Sequence, residues 1–127
     1  MEAPKKDLEF KGLTGKSILC AIEVHKKLGP GFLESIYHAA LPMELVKQIL
    51  NVETQKVIKI FYDGKEISFH RLDIVAEGQI IVELKTAKEF DDSHIAQLIS
   101  YLKATGLKVG LLLNFAKAVL KIKRVVN

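Results

Sequence analysis

The chain has 127 residues, of which 49% are hydrophobic and 27% charged, and its formal net charge is +4. This composition is typical of one globular domain, and its modest positive charge permits nucleic-acid binding without demonstrating it. A single cysteine excludes an intrachain disulfide framework and a cysteine-rich zinc site, and no apolar run approaches the roughly 18 residues of a membrane span.

The first part of the chain predicts an arm and two helices. Residues 1–12 are polar and lack the hydrophobic stretch of a signal peptide, so we expect a flexible arm and a cytoplasmic location. Apolar residues at helical spacing predict helices over residues 13–28 and 32–49, separated by Gly29-Pro30-Gly31. Pro42 predicts a kink or break in the second helix, because proline removes a backbone hydrogen bond.

The rest of the chain predicts a mixed α/β domain. Three strands are predicted over residues 52–61, 66–75 and 79–86, a helix over residues 91–105, and two further strands over residues 109–115 and 119–126. The order α-α-β-β-β-α-β-β predicts a mixed sheet flanked by helices. We expect residues 13–127 to form a single domain.

Three charged residues interrupt apolar strands in the middle of the chain, namely Asp73, Glu83 and Lys85. A buried charge is unfavourable unless it is paired, bound to a metal or used for chemistry. A two-residue turn would separate Asp73 from Glu83, whereas a three-residue loop at 76–78 pairs position 73 with 81 and puts all three charges on one face. We favour the second register, because it leaves the opposite face wholly apolar. That face comprises Leu72, Ile74, Ile80, Val82 and Leu84.

Two carboxylates and a lysine on one face are suited to metal-dependent hydrolysis of a phosphodiester. Mg²⁺ prefers oxygen ligands and lowers the pKa of a bound water. Lys85 would orient that water or stabilise the charge of the transition state. The alternative is an ion pair of Lys85 with Asp73 or Glu83 on a solvated sheet face.

These residues resemble the D…(D/E)xK motif of the PD-(D/E)XK nuclease superfamily. The segment LGPGFLESIY also contains Gly31-x-x-Glu34-x-x-Tyr37, and with HIAQLISYLKATGLKVGLLLNF it makes the chain similar to the GxxExxY family of that superfamily over residues 13–126. The resemblance implies an α/β fold with a restriction-endonuclease-like αβββαβ core and flanking helices.

The resemblance also implies roles for individual residues. Asp73 and Glu83 would bind Mg²⁺ or Mn²⁺, and Glu34 would reach the metal directly or through water. Lys85 would be the catalytic lysine. From its position alone, Glu34 would instead stabilise the start of its helix through the helix dipole.

Gln97 and Tyr101 form a Gln-x-x-x-Tyr sequence that is similar to a motif of RecB-like nucleases. Their spacing puts an amide and a phenol on one helix face, where they would hold a phosphate or position Lys85.

The third residue of the GxxExxY pattern, Tyr37, lies on an apolar stripe, so we expect a core residue with a satisfied hydroxyl. His38 lies four residues after Glu34, but we favour a solvent-facing partner for it.

Several basic residues near the end of the chain have two interpretations. They would contact phosphate, or they would protect an edge strand against aggregation. These residues are Lys117, Lys121, Lys123 and Arg124.

We therefore expect a nuclease that uses Mg²⁺ or Mn²⁺ and acts on DNA more than on RNA, with no membrane partner. The alternative is a non-catalytic module that keeps the fold and binds nucleic acid or protein. The intact set of Asp73, Glu83 and Lys85 favours the nuclease, because a pure binder need not keep all three. The small size of the chain favours the binding module or a homodimer, because little chain remains to grip a duplex.

Overall fold

The computed structural model describes residues 11–127. The helices are α1 (Lys11–Leu28), α2 (Glu34–Lys47) and α3 (Asp92–Thr105). The strands are β1 (Val52–Tyr62), β2 (Lys65–Ala76), β3 (Ile80–Lys85), β4 (Val109–Asn114) and β5 (Lys121–Val126). This order confirms the predicted one. Lys11 and Gly12, predicted as part of the arm, belong to α1, and residues 1–10 lie outside the described residues.

The strands form one mixed sheet in the order β1-β2-β3-β4-β5. Strands β3 and β4 are parallel, and the other neighbours are antiparallel. Parallel neighbours need a crossover, which α3 supplies. Since β3 and β4 are covered on both faces, their residues are almost all buried, which explains their continuous apolar sequences.

The sheet separates two hydrophobic clusters. The first lies under α1 and α2 and includes Tyr37, Leu41 and Phe115. The second lies under α3 and includes Leu98 and Leu102. Helices α2 and α3 therefore cover opposite faces of the sheet, and both begin near the end of the sheet at which β3 finishes.

Helix α2 continues through Pro42, so the predicted break is wrong. Leu41 and Leu45, on either side of the proline, are fully buried, and their packing offsets the lost backbone hydrogen bond. The start of the helix is held by Tyr37, whose hydroxyl donates to Gly29 O at 2.6 Å and accepts from Phe32 N at 3.3 Å. The prediction of a core tyrosine with a satisfied hydroxyl is confirmed.

Gly110 of β4 allows α3 to approach the sheet closely. A methyl group at this position would lie 2.7 Å from Leu98 Cδ1. We therefore expect Gly110→Ala to lower the free energy of unfolding in urea by about 1–3 kcal/mol. The matched control is Gly15→Ala in α1, where a methyl group meets no atom within 4 Å and should raise stability by about 0.5–1 kcal/mol. Equal stabilities of the two variants would contradict this packing.

Candidate active site

The hairpin of β2 and β3 differs in register from the predicted one. Val75 pairs with Ile81 rather than with residue 79, so the predicted pairing is wrong. The ladder continues to Ile74 and Val82 and ends there. Continued by one step, this register places position 73 opposite position 83. The two acidic residues therefore lie directly opposite each other, and not diagonally as predicted.

The loop between these strands explains the shift. It comprises residues 77–79, because Glu77 and Gly78 both adopt left-handed φ angles, 55° and 63°. The N–H of Gln79 then donates to Ala76 O at 3.0 Å and closes the turn. Gly78 adopts this conformation without steric penalty, because glycine has no side chain. The loop still has three residues. Odd-numbered positions of β2 therefore pair with odd-numbered positions of β3, as predicted.

Beyond the ladder, the two carboxylates lie between the strands. Glu83 Oε2 accepts a hydrogen bond from the backbone N–H of Asp73 at 2.9 Å. Asp73 Oδ2 accepts one from the backbone N–H of Leu84, also at 2.9 Å. Each side chain thus replaces a backbone acceptor of the interrupted ladder. This exchange fixes both acids at the point where β2 and β3 separate.

The predicted apolar face is wrong at Leu72. Leu72 packs in the cluster under α3 together with Val75, whereas Ile74 packs in the cluster under α1 and α2. Regular alternation would place Leu72 with Ile74. Alternation breaks at Asp73, where the facing strand β1 contains Gln55 with a left-handed φ of 51°. Asp73 consequently reaches toward α2.

Glu83 is a strongly perturbed acid. Only 3% of this residue is exposed to solvent. Burial raises the pKa of Glu83, and the adjacent Asp73 carboxyl raises it further, whereas Lys85 acts in the opposite direction. Two carboxyls this close cannot both ionise without a compensating charge. The pair therefore favours a shared proton or a bound cation.

The face toward α3 supplies the lysine and its partner. Lys85 Nζ donates to Gln97 Oε1 at 3.1 Å. Tyr101 is 8% exposed, and its ring lies 4.8 Å from that of His70. Burial and then the charges of Glu83 and Asp73 raise the pKa of Tyr101. Within residues 11–127, Lys85 forms no ion pair with either acid, so the alternative ion pair is not found.

The face toward α2 supplies Glu34 and His38. Glu34 Oε1 accepts from the backbone N–H of Thr86 at 3.0 Å, so this acid contacts the residue that follows Lys85. His38 Nε2 lies 3.6 Å from both Glu34 Oε2 and Asp73 Oδ2. This nitrogen is buried and has no hydrogen-bond partner. The other ring nitrogen, His38 Nδ1, lies 3.3 Å from Nε2 of the exposed Gln55, which agrees with the predicted solvent-facing partner, while Nε2 faces the two acids.

Gln97 holds Lys85 without being buried itself, so its role can be tested without damage to the core. For the phosphodiester cleavage that the sequence predicts, we expect Gln97→Ala to lower kcat by about 10- to 100-fold, because Lys85 loses its hydrogen-bond partner. The matched control is Gln48→Ala, an exposed position after α2. Steady-state kinetics separate the two parameters. A change in KM alone would assign Gln97 to substrate binding and contradict a positioning role.

The donor set fits a hard divalent cation. The oxygens of Asp73, Glu83 and Glu34 are ligands of the type that Mg²⁺ and Mn²⁺ prefer. The pKa of Glu83 is raised, and Nε2 of His38 lies between two acids without a hydrogen-bond partner. Both observations indicate that the negative charges of this centre are not balanced by a positive charge. No group of three metal-binding side chains is preassembled among residues 11–127. A bound cation would therefore draw these acids together.

Comparison with solved structures supports the fold. A chain described as the crystal structure of SSO0001 matches with a TM-score of 0.61 and 19% sequence identity, over 94% of this chain and 60% of that chain. This protein thus spans less than two thirds of the length of that structure. No curated protein matches the sequence. None of the described helices is long and apolar enough to cross a membrane.

A family model settles the classification. The model of the PD-(D/E)XK nuclease superfamily matches residues 11–125, which is nearly the whole chain. The mixed five-stranded sheet with helices on both faces is consistent with the restriction-endonuclease-like fold expected of such a protein. The chain belongs to the PD-(D/E)XK nuclease superfamily.

Proposed function

We propose that this protein is a metal-dependent nuclease of the GxxExxY family that hydrolyses phosphodiester bonds in nucleic acid, DNA more than RNA. The observation that carries the proposal is the pair of opposed carboxylates of Asp73 and Glu83, with Lys85 held beside them by Gln97. Membership of the superfamily supports the same chemistry.

Asp73, Glu83 and Glu34 would hold the cation. When bound, Mg²⁺ or Mn²⁺ supplies positive charge at the phosphate and lowers the pKa of a water molecule. The raised pKa of Glu83 favours a protonated carboxyl beside Asp73, and a bound cation would supply the compensating charge in place of that proton. Metal affinity should therefore increase with pH.

The other residues act on the substrate or on Lys85. The ammonium group of Lys85 stabilises the negative charge that develops on the phosphate oxygens during attack. Gln97 fixes the position of Lys85, so this charge needs no reorganisation during the reaction. The buried phenol of Tyr101 donates to a phosphate oxygen.

The proposal is tested by incubating the protein with labelled single-stranded and double-stranded DNA and RNA in Mg²⁺, Mn²⁺ or a chelator. We expect cleavage that requires the cation and is lost in Asp73→Ala and Lys85→Ala. Activity that survives both substitutions would show that the site lies elsewhere. Absence of cleavage on every substrate, together with absence of Mn²⁺ binding by calorimetry, would favour a non-catalytic binding module.

We also propose a homodimer, because the chain is small and α2 exposes an apolar stripe. Ile36, Met43 and Val46 are 41%, 66% and 59% exposed at helical spacing on its outer side. Light scattering on the purified protein measures the mass directly. A monomer at all concentrations would contradict this part of the proposal.

A further inference from the structure

A basic cavity lies beside the candidate active site. Its volume is about 330 Å³, and Asn114 and Phe90 line part of it. Glu89 is the acidic residue in its lining. The four basic residues around it are Lys88, Lys117, Lys121 and Lys123.

The sheet places this cavity two strands from the catalytic lysine. Lys85 pairs with Asn114 of β4, and Asn114 pairs with Lys121 of β5. In the same way, Leu112 lies between Glu83 and Lys123. Neighbouring strands are about 4.8 Å apart, so Lys121 lies roughly 10 Å from Lys85 across the sheet. A stacked nucleic-acid strand, at about 3.4 Å per nucleotide, covers that distance in about three nucleotides.

Lys121 and Lys123 lie on the same side of the sheet as Lys85. Lys121 and Lys123 alternate with their neighbours along β5 and share a face with Val125, which packs in the cluster under α3. This is the face from which Lys85 contacts Gln97 of α3. The two β5 lysines of the cavity and Lys85 therefore lie along one face of the sheet.

Four lysines but only one acid, Glu89, line the cavity. None of them forms an ion pair within the described part of the chain, and like charges around one cavity repel each other. Protection of an edge strand would explain Lys121 and Lys123 but not Lys88 and Lys117, which come from two separate loops. Convergence of three segments on one cavity indicates an anionic ligand.

The segment that carries Lys88 is fixed by the fold. Buried Asn114 accepts from the backbone N–H of Ala87 at 3.2 Å and donates to its carbonyl oxygen at 2.8 Å. On the preceding side, Glu34 accepts from Thr86 N–H. The residues between the catalytic lysine and the cavity are thus held from both sides, which fixes the cavity relative to the site.

We propose that this cavity, bordered by Lys88, Lys117, Lys121 and Lys123, binds the phosphate backbone of the substrate strand about three nucleotides from the scissile phosphate. The inference rests on the proposed function for the identity of its ligand as nucleic acid. The lysines act as point charges on phosphate oxygens, so they contribute affinity without reading sequence. They also extend the grip of a small domain beyond its active site.

The test compares two double variants of equal charge. Lys121→Gln with Lys123→Gln removes two charges at the cavity, and Lys103→Gln with Lys108→Gln removes two at the opposite end of α3 and β4. Fluorescence anisotropy measures binding of a labelled single-stranded oligonucleotide of about 20 nucleotides in chelator, at about 50 to 200 mM salt. We expect the cavity variant to lower the slope of log affinity against log salt by about 1.4 and the control to leave it unchanged. Lys88→Gln with Lys117→Gln, which lies outside the strands, should reproduce the effect if the β5 variant folds poorly.

The outcomes separate this inference from the proposed activity, because binding is measured without cleavage. An equal fall of the slope in the cavity and control variants would show that the cavity is not a specific subsite. Tight binding of inorganic phosphate at equal ionic strength in place of the oligonucleotide would show the same. Lysine-dependent binding in a protein that cleaves nothing would support the cavity and refute the nuclease. Cleavage together with an unchanged slope in both cavity variants would support the nuclease and refute the cavity.

Discussion

Lys85→Met is expected to lower kcat for metal-dependent cleavage by about 10²- to 10³-fold, which is the effect of removing one preorganised charge from a transition state. Methionine keeps the unbranched length of the side chain but removes its ammonium group. The carboxylates of Asp73 and Glu83 remain, so Mn²⁺ binding measured by calorimetry should persist. A variant that binds metal but does not cleave would separate the role of the lysine from that of the acids.

The matched control is Lys103→Met, an exposed lysine in the last turn of α3. It removes the same charge far from the carboxylates, so its kcat should equal that of the wild type. Equal losses in both variants would attribute the effect to net charge. Loss of metal binding in Lys85→Met would show that the lysine supports the acids rather than the reaction.

Glu83→Gln is expected to make the metal-free protein more stable at alkaline pH while abolishing cleavage. Burial and Asp73 raise the pKa of Glu83 above its ordinary value of 4.5. Below that value Glu83 is protonated in both the native and the unfolded protein, and its contribution to stability is fully present. At higher pH the unfolded chain releases this proton while the native protein keeps it, so the free energy of unfolding falls with rising pH until the raised pKa is passed.

Glutamine removes this dependence, because its amide needs no proton and still accepts from the N–H of Asp73. Between about pH 5 and pH 9 we expect the wild type to lose about 1–3 kcal/mol more stability than the variant in chelator. Urea unfolding at each pH measures the difference, with Glu89→Gln, an exposed acid, as the control. Parallel curves for wild type and Glu83→Gln would show that Glu83 is ionised in the native protein. Added Mg²⁺ should restore the wild type alone.

The elements of this fold could be predicted because their signals are local. Apolar spacing located the helices and strands, and the charges at Asp73, Glu83 and Lys85 located the centre of the candidate site. The two acids do lie next to each other, as expected, but the three charges do not share one face, because Asp73 reaches toward α2 and Lys85 toward α3.

The errors concern features that depend on backbone conformation or on distant residues. Nothing in the sequence shows that Glu77 adopts a left-handed conformation, so the loop was displaced and the register with it. The break in alternation at Asp73 depends on the facing Gln55 of β1. The approach of His38 Nε2 to Asp73 was not predicted, because the sequence does not show that α2 packs over the end of β2. The lysine cavity likewise combines residues from loops far apart in the chain.

The central claim is that the opposed acids of β2 and β3 form a metal-dependent hydrolytic site. The most direct measurement is the rate of Mn²⁺-dependent cleavage of labelled DNA by Asp73→Asn and by wild type purified in parallel. Asparagine can still accept from Leu84 N–H, and Asp63→Asn, in a turn whose left-handed φ of 48° suits asparagine, is the control. The account predicts cleavage by the wild type and Asp63→Asn, and a loss of about 10²-fold or more in Asp73→Asn. Equal cleavage by all three proteins would contradict it.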